Sequence, residues 1–188
     1  PQRLTADATL LLDHVAFVYL PRLWPTGLVG GVRPWITENM TAGTAHDGRI
    51  DVALEVDSDF SNLTLTRATG VVDADNMTVR WMTGMPPAEQ GHARIRLVDA
   101  DTIDITMTGG VQRVGSRTPL VLTGGSMHIT GLSVKDQDAD IAVQAKGPLA
   151  DAIALLREPR LKLLSAHPID LREPAGDVTV AIKVRLPL

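Results

Sequence analysis

The sequence predicts a mainly β protein: an antiparallel sheet curved into a groove or an open, flattened barrel, with two short helical elements against it. Three observations predict it. Between Gly48 and Asp57, Ile50, Val52, Leu54 and Val56 alternate with Arg49, Asp51, Ala53 and Glu55. Successive side chains of a strand point to opposite faces, so this pattern needs one dry face and one wet one. Similar alternations recur at roughly ten-residue spacing, separated by Gly, Pro, Asn and Asp, as in antiparallel strands joined by turns. Finally, 44% of the 188 residues are hydrophobic but only 3% aromatic, so the apolar content is aliphatic, with six Met.

In chain order, Ala8 to Leu20 reads as a strand of mixed faces stopped by Pro21. Leu23 to Gly43 reads as a helical or turn-rich plug holding Trp24 and Trp35. Pro34 suits the first turn of a helix, Trp35, Ile36, Asn39 and Met40 form its stripe, and Gly43 is its C-terminal stop. After the Gly48–Asp57 strand, Leu63 and Leu65 mark the next, and Val71 and Val72 lead into a turn at Asp73-Ala74-Asp75-Asn76. Met77, Val79 and Trp81 follow, then Ala93, Ile95 and Leu97, then Ile103, Ile105 and Met107.

Leu120, Leu122, Met127 and Ile129 read as two arms of a hairpin through Gly124-Gly125, and Ile141, Val143 and Ala145 as another strand. From Pro148 to Arg157 the period changes. Leu149, Ala152, Ile153 and Leu156 share one helical face, with Asp151 in the first turn where it suits the helix dipole. Val178, Val180, Ile182, Val184 and Leu186 form the last strand. The expectation is about nine or ten strands in a single domain over residues 1–188.

Composition argues against several functions. A net charge of −4 without a basic block argues against nucleic acid, whose phosphates need clustered Lys and Arg. The absence of cysteine removes disulfides, thiolate catalysis and cysteine-ligated metals. The apolar run Leu10 to Leu20 is broken by Asp13 and His14 and is too short to cross a bilayer. Pro1 and Leu188 read as cut ends, so the expectation is a segment of a longer chain.

Catalytic and metal motifs are equally thin. His14, His46, His92, His128 and His167 lack metal-ligand spacing, and His46 and His92 read as exposed, unpaired residues beside turns or strand starts. Ser126, in Gly124-Gly125-Ser126-Met127-His128, lacks the second glycine of a nucleophile elbow and precedes a strand. Gly27, Gly30 and Gly31 do not form a dinucleotide or phosphate loop. The pairs Asp73/Asp75, Asp99/Asp101 and Asp138/Asp140 read as turn residues, and Arg33 as a salt-bridge partner of Glu38 or of an acidic strand residue. The reading is non-enzymatic, with no cofactor and no metal.

Two stretches carry a resemblance. Leu23-Trp24-Pro25, Arg33, Trp35, Asn39 and Gly43 resemble the signature opening the AsmA-like domain of YhdP-type bacterial envelope proteins, relatives of AsmA and TamB. The run from Gly147-Pro148-Leu149 to Leu156, then Gly176 and Leu186-Pro187-Leu188, resembles a later block of that family in the same order. The family's membrane anchor has no counterpart in this sequence. The resemblance implies a periplasmic segment of an inner-membrane-tethered protein that shelters or conducts phospholipids between inner and outer membranes. Its partners would be a phospholipid or other acyl-chain lipid and the rest of its own longer chain.

The expected lipid groove is then lined by Ile50, Val52, Leu54, Val56, Leu63, Leu65, Met77, Val79, Trp81, Ile95, Leu97, Ile103, Ile105, Met107, Ile141 and Val143. Scarce aromatics and methionines on or beside the strands suit a surface that fits variable apolar partners. Two alternatives stand beside it: a closed β-sandwich module of an envelope scaffold, and a glycan-acting jelly-roll enzyme.

Overall fold

Alternating aliphatic and polar residues build eight strands, seen in a computed structural model that describes residues 3–24, 33–57, 63–81, 84–115, 118–132, 134, 137–158 and 174–187. They are β1 (Arg3–Ala16), β2 (Met40–Asp57), β3 (Leu63–Val79), β4 (Ala88–Leu97), β5 (Thr102–Gln112), β6 (Leu120–Thr130), β7 (Asp138–Pro148) and β8 (Asp177–Pro187). Each pairs antiparallel with its neighbours in chain order. β1 and β8 do not pair with each other, so the sheet is open rather than a barrel.

Register separates the faces. One row crosses all eight strands at Leu10, Ile50, Gly70, Leu97, Ile103, Ile129, Ala139 and Leu186. The adjacent row, on the opposite face, is Leu11, Arg49, Val71, Arg96, Asp104, His128, Asp140 and Arg185. One face is aliphatic and the other is charged, the division that strict alternation imposes.

Two expected turns lie inside strands. Asp73-Ala74-Asp75-Asn76 belongs to β3, where Asp73 pairs with His46 and Arg94 in register and only Asn76 leaves strand geometry, at φ 53° in a bulge. Gly124-Gly125 lies inside β6: a Cβ at Gly125 would stand 2.9 Å from the Ala142 carbonyl oxygen, so the glycine serves close strand approach rather than reversal. Two pairs of expected strands are therefore single strands. Asp138 and Asp140 also lie within a strand, β7, while Asp99 and Asp101 sit in the β4–β5 turn, where Asp99 accepts a hydrogen bond from the Asp101 N–H.

The ends of other elements move as well. β1 begins at Arg3 and gives way to a 3-10 turn at Phe17–Tyr19 and then to α1 (Leu20–Leu23). Pro21 thus opens a helix, in whose first turn a missing N–H costs nothing. Helix α2 (Arg33–Asn39) ends where β2 begins, and the Asn39 amide donates back to the Trp35 carbonyl. Gly43 is no helix stop. It sits within β2 at φ 114°, where a Cβ would lie 2.8 Å from the Met77 Cα. Residues 25–32 of the expected plug lie outside the described residues.

Helix α3 (Leu149–Leu156) follows β7 directly, and its Leu149 N–H donates to the Gly176 carbonyl beside β8. Its buried face is Asp151, Ala152, Ile153 and Leu155, rotated from the expected one because Asp151 turns inward at 5% exposure.

The core sits against the aliphatic face in three clusters. Phe17, Met40 and Trp35 pack on Val72, Ala74, Met77 and Ala93. Trp24 and Ile36 pack on the cluster of Ile103, Ile129, Leu132 and Ala139. Ala152 and Leu155 of α3 pack with Leu120 and Ala145, flanked by Val178, Val180 and Ile182. Ile129 is 4% exposed at the centre of the second cluster. Ile129→Ala removes buried methylenes and leaves a cavity, so it is expected to cost about 2–5 kcal/mol. A lower urea midpoint at unchanged slope checks it.

Candidate apolar binding face

The residues expected to line a groove share one face but meet different fates. Met77 and Ile103 are buried at 7% exposure. Val79, Ile95, Leu97, Ile105, Met107 and Ile141 pack around the first two clusters. These positions differ from the open lining expected: they belong to or border clusters that also hold Phe17, Trp24, Trp35 and Ile36 of the same chain. Trp81 also leaves the set, because it follows the end of β3 and its indole N–H donates to the Gln112 side-chain oxygen at 2.8 Å. Ile50 borders the first cluster, and Val143 is half-buried on β7.

The remainder form a separate strip. Val52, Leu54, Val56 and Leu65 are half-buried and belong to none of the three clusters. Leu63 pairs with Val56 in register, and its side chain lies outside the described residues. Opposite the β2 residues, β1 supplies Ala8, Ala6 and Leu4, with Leu10 facing Ile50. Leu4 is 46% exposed and Leu10 55%, and both alanines are exposed. The sequence held a signal for this row. Leu4, Ala6, Ala8 and Leu10 alternate with Thr5, Asp7 and Thr9 once the strand is started at Leu4 rather than Ala8.

The opposite face is a lattice of charge. Arg94 makes paired hydrogen bonds to Asp73, both at 2.7 Å. Asp104 accepts from Arg96 and from His128, each at 2.6 Å. Arg49 pairs with Asp51, Arg67 with Asp7, and Arg185 with Asp140. Asp75 accepts from His92 Nδ1 at 2.6 Å and from His46 Nε2 at 2.9 Å, while His46 Nδ1 donates to Asp47 at 2.8 Å. His46 and His92 are therefore partnered, contrary to the unpaired reading. Arg33 pairs with neither Glu38 nor a strand acid; it donates to the Trp24 and Pro21 carbonyls at 3.0 and 2.9 Å and so ties α2 to α1.

His46 faces a carboxylate at each ring nitrogen, and only the imidazolium donates at both. The bonds to Asp47 and Asp75 accordingly raise its pKa above 6.5. The carboxylates move the other way. Asp75 is lowered by His92 and then His46, Asp104 by His128 and then Arg96, Asp73 by Arg94, and Asp51 by Thr9 and then Arg49. Beside this cluster the three non-glycine residues of positive φ among the described residues stand on adjacent strands: Asp47 at 49°, Asn76 at 53° and Gln90 at 54°. The register shifts there on β2–β3, β3–β4 and β4–β5, so the ionic cluster lies along a line of bulges.

Among the described residues, no group of three or more His, Asp or Glu is placed to hold a metal ion, and no helix is long and apolar enough to cross a membrane. Ser126 lies mid-strand in β6, in a shallow depression with Ala142, Gln144, Ala181 and Lys183. Comparison with protein-family models, with curated proteins and with solved structures finds no match to this chain.

The ionic face predicts a two-sided pH profile. A raised histidine contributes stability below its unfolded value of 6.5, and that contribution is lost as pH rises through the folded value. The lowered aspartates contribute above about pH 3.8, and theirs is lost as pH falls through their folded values. Urea midpoints are expected to peak between these limits. His46→Gln removes the alkaline decline while keeping the acid one, and 1 M salt flattens both because the groups are exposed and screened.

Proposed function

We propose that this chain is a non-enzymatic segment that shelters the acyl chains of a phospholipid on its aliphatic face, as part of an AsmA-like, inner-membrane-tethered protein of the periplasm. One observation carries the reading. The aliphatic face is continuous across eight strands, yet among the described residues the three core clusters cover only part of it and leave Leu4, Ala6, Ala8, Leu10, Val52, Leu54, Val56 and Leu65 outside them.

The physics is transfer rather than reaction. From Leu4 to Leu10 the strip runs about 20 Å at the usual strand rise, longer than the roughly 15 Å depth of one leaflet's hydrocarbon. Each methylene moved from water onto such a surface contributes about 0.8 kcal/mol when fully buried. No polar side chain interrupts the row, so a hydrocarbon tail can sit at many similar positions and slide between them. The single-sheet, neighbour-to-neighbour topology also speaks against the closed sandwich, which needs two facing sheets, and against the jelly roll, which needs Greek-key crossings.

Mass spectrometry of material extracted from the purified segment is expected to find phospholipid, and a fluorescent fatty acid is expected to bind and be displaced by it. Leu54→Glu, on the strip, should weaken binding about tenfold or more, since it replaces aliphatic surface with charge. Ala53→Glu, the next residue but on the charged face, should leave binding unchanged. Circular dichroism of both variants checks the fold. Neither co-purified lipid nor probe binding in the unmodified segment would remove this reading.

A further inference from the structure

We infer that loss of a proton from His46 opens a latch across the line of bulges and loosens the packing of Trp35 on the opposite face of the sheet. The latch is the run of contacts His46–Asp75–His92, which joins β2, β3 and β4. It stands where the ladders are interrupted. Register shifts fall between His46 and Arg49, between Ala74 and Met77, and between Glu89 and His92. A bulge leaves part of the ladder unpaired, so side-chain links carry more of the connection between strands there.

Each latch residue adjoins an alanine of the first core cluster. Ala45 precedes His46, Ala74 precedes Asp75 and Ala93 follows His92, and the three alanines lie opposite one another in register. They are 6%, 1% and 8% exposed, in the cluster that holds Phe17 and has Trp35 packed against it. Successive side chains of a strand point to opposite faces. A shift of His46 against Asp75 on the charged face is therefore a shift of Ala45 against Ala74 beneath the plug.

Proton count singles out His46. It meets a carboxylate at each ring nitrogen, Asp47 at Nδ1 and Asp75 at Nε2. Among the described residues His92 and His128 meet one each, both at Nδ1. A neutral imidazole has one N–H and one lone pair. His92 and His128 can keep their bonds when neutral, but neutral His46 turns a lone pair on one carboxylate and must give up that contact. The neighbouring charges do not replace it. Asp73 of β3 is in register with His46 and adds a third carboxylate; Arg94 of β4 engages Asp73, and Arg49 of β2 turns to Asp51. His14 of β1, opposite in register, is a second imidazole.

This opening occurs within the folded chain and does not depend on lipid binding. Fluorotryptophan labelling of the whole chain gives one fluorine resonance for each of its three tryptophans, assigned by single replacements with Phe and followed from about pH 5 to 9. The Trp35 resonance is expected to shift with a midpoint above 6.5, the direction in which Asp47 and Asp75 move His46, at unchanged circular dichroism. Asp47→Asn gives neutral His46 an amide that can donate to Nδ1, at a positive φ that asparagine tolerates. It is expected to hold the Trp35 resonance at its acid position throughout. His14→Gln and His128→Gln are expected to keep the shift. A Trp35 resonance that does not move in the unmodified chain, that moves equally in Asp47→Asn, or that stops moving in His14→Gln or His128→Gln overturns the inference.

Discussion

A single-layer sheet cannot bury its own apolar face, and the rest of this structure follows from that constraint. Seven antiparallel pairings satisfy the backbone within the sheet but leave a broad aliphatic surface toward solvent. Among the described residues, what covers it is a small set of side chains from outside the sheet, most of them large. Phe17, Trp24, Trp35 and Ile36 come from the stretch between β1 and β2, and Ala152 and Leu155 come from α3. The scarcity of aromatics in the composition concentrates this role in few residues, and two of the three tryptophans serve it. Arg33 spans from α2 to the Pro21 carbonyl in α1 and the Trp24 carbonyl just after it, and so links the two segments that carry the tryptophans.

The charged face answers a different problem. Strands of 18 and 17 residues, β2 and β3, would run about 55–60 Å if straight. Bulges at Asp47, Asn76 and Gln90 interrupt that run on three adjacent strands, and each re-aims the residues around it. On the aliphatic side of the same region lie Ala45, Ala74, Ala93 and Met77, small or flexible side chains that accept close packing of Phe17 and Trp35. On the other side, His46, Asp75 and His92 link β2, β3 and β4 across the bend. Each exposed ion pair contributes little by itself. Their alternation of acid and base keeps like charges from facing each other across neighbouring strands, which matters on a face with this many carboxylates.

Much of the fold was legible because it rests on period. The alternation from Ile50 to Val56, from Ile103 to Met107 and from Val178 to Val184 is local and needs no tertiary information, and these segments are strands. Turn chemistry was less dependable. Asp-Ala-Asp-Asn and Gly-Gly are compatible with reversal, but at 73–76 the acids are held by bases on both adjacent strands, and at 124–125 the glycines admit a neighbouring backbone. Neither reason can be read without knowing which strands are neighbours. The groove residues were read as one lining for the same reason: Leu54 and Ile105 look alike in sequence, and only the placement of Trp35 and Ile36 separates them.

The uncovered strip has a shape that follows from residue size. Along β1 the order is Leu4, Ala6, Ala8, Leu10, facing Val56, Leu54, Val52 and Ile50. Two alanines between two leucines lower the surface over about two strand repeats, while β2 beside them keeps the full height of Leu54 and Val52. Such a step is apolar at its floor and its wall. It carries no hydroxyl, amide or charge that would fix one head group, so it discriminates by hydrocarbon and by little else. Under the proposed function such a surface would favour passage over retention, because neighbouring positions along the row differ by only a methyl group or two. The charged reverse face keeps the sheet wetted on one side and so limits which face a hydrocarbon can meet. What the proposed function asks of the strip, one apolar face kept apart from a charged one, is thus set by the alternation beginning at Leu4.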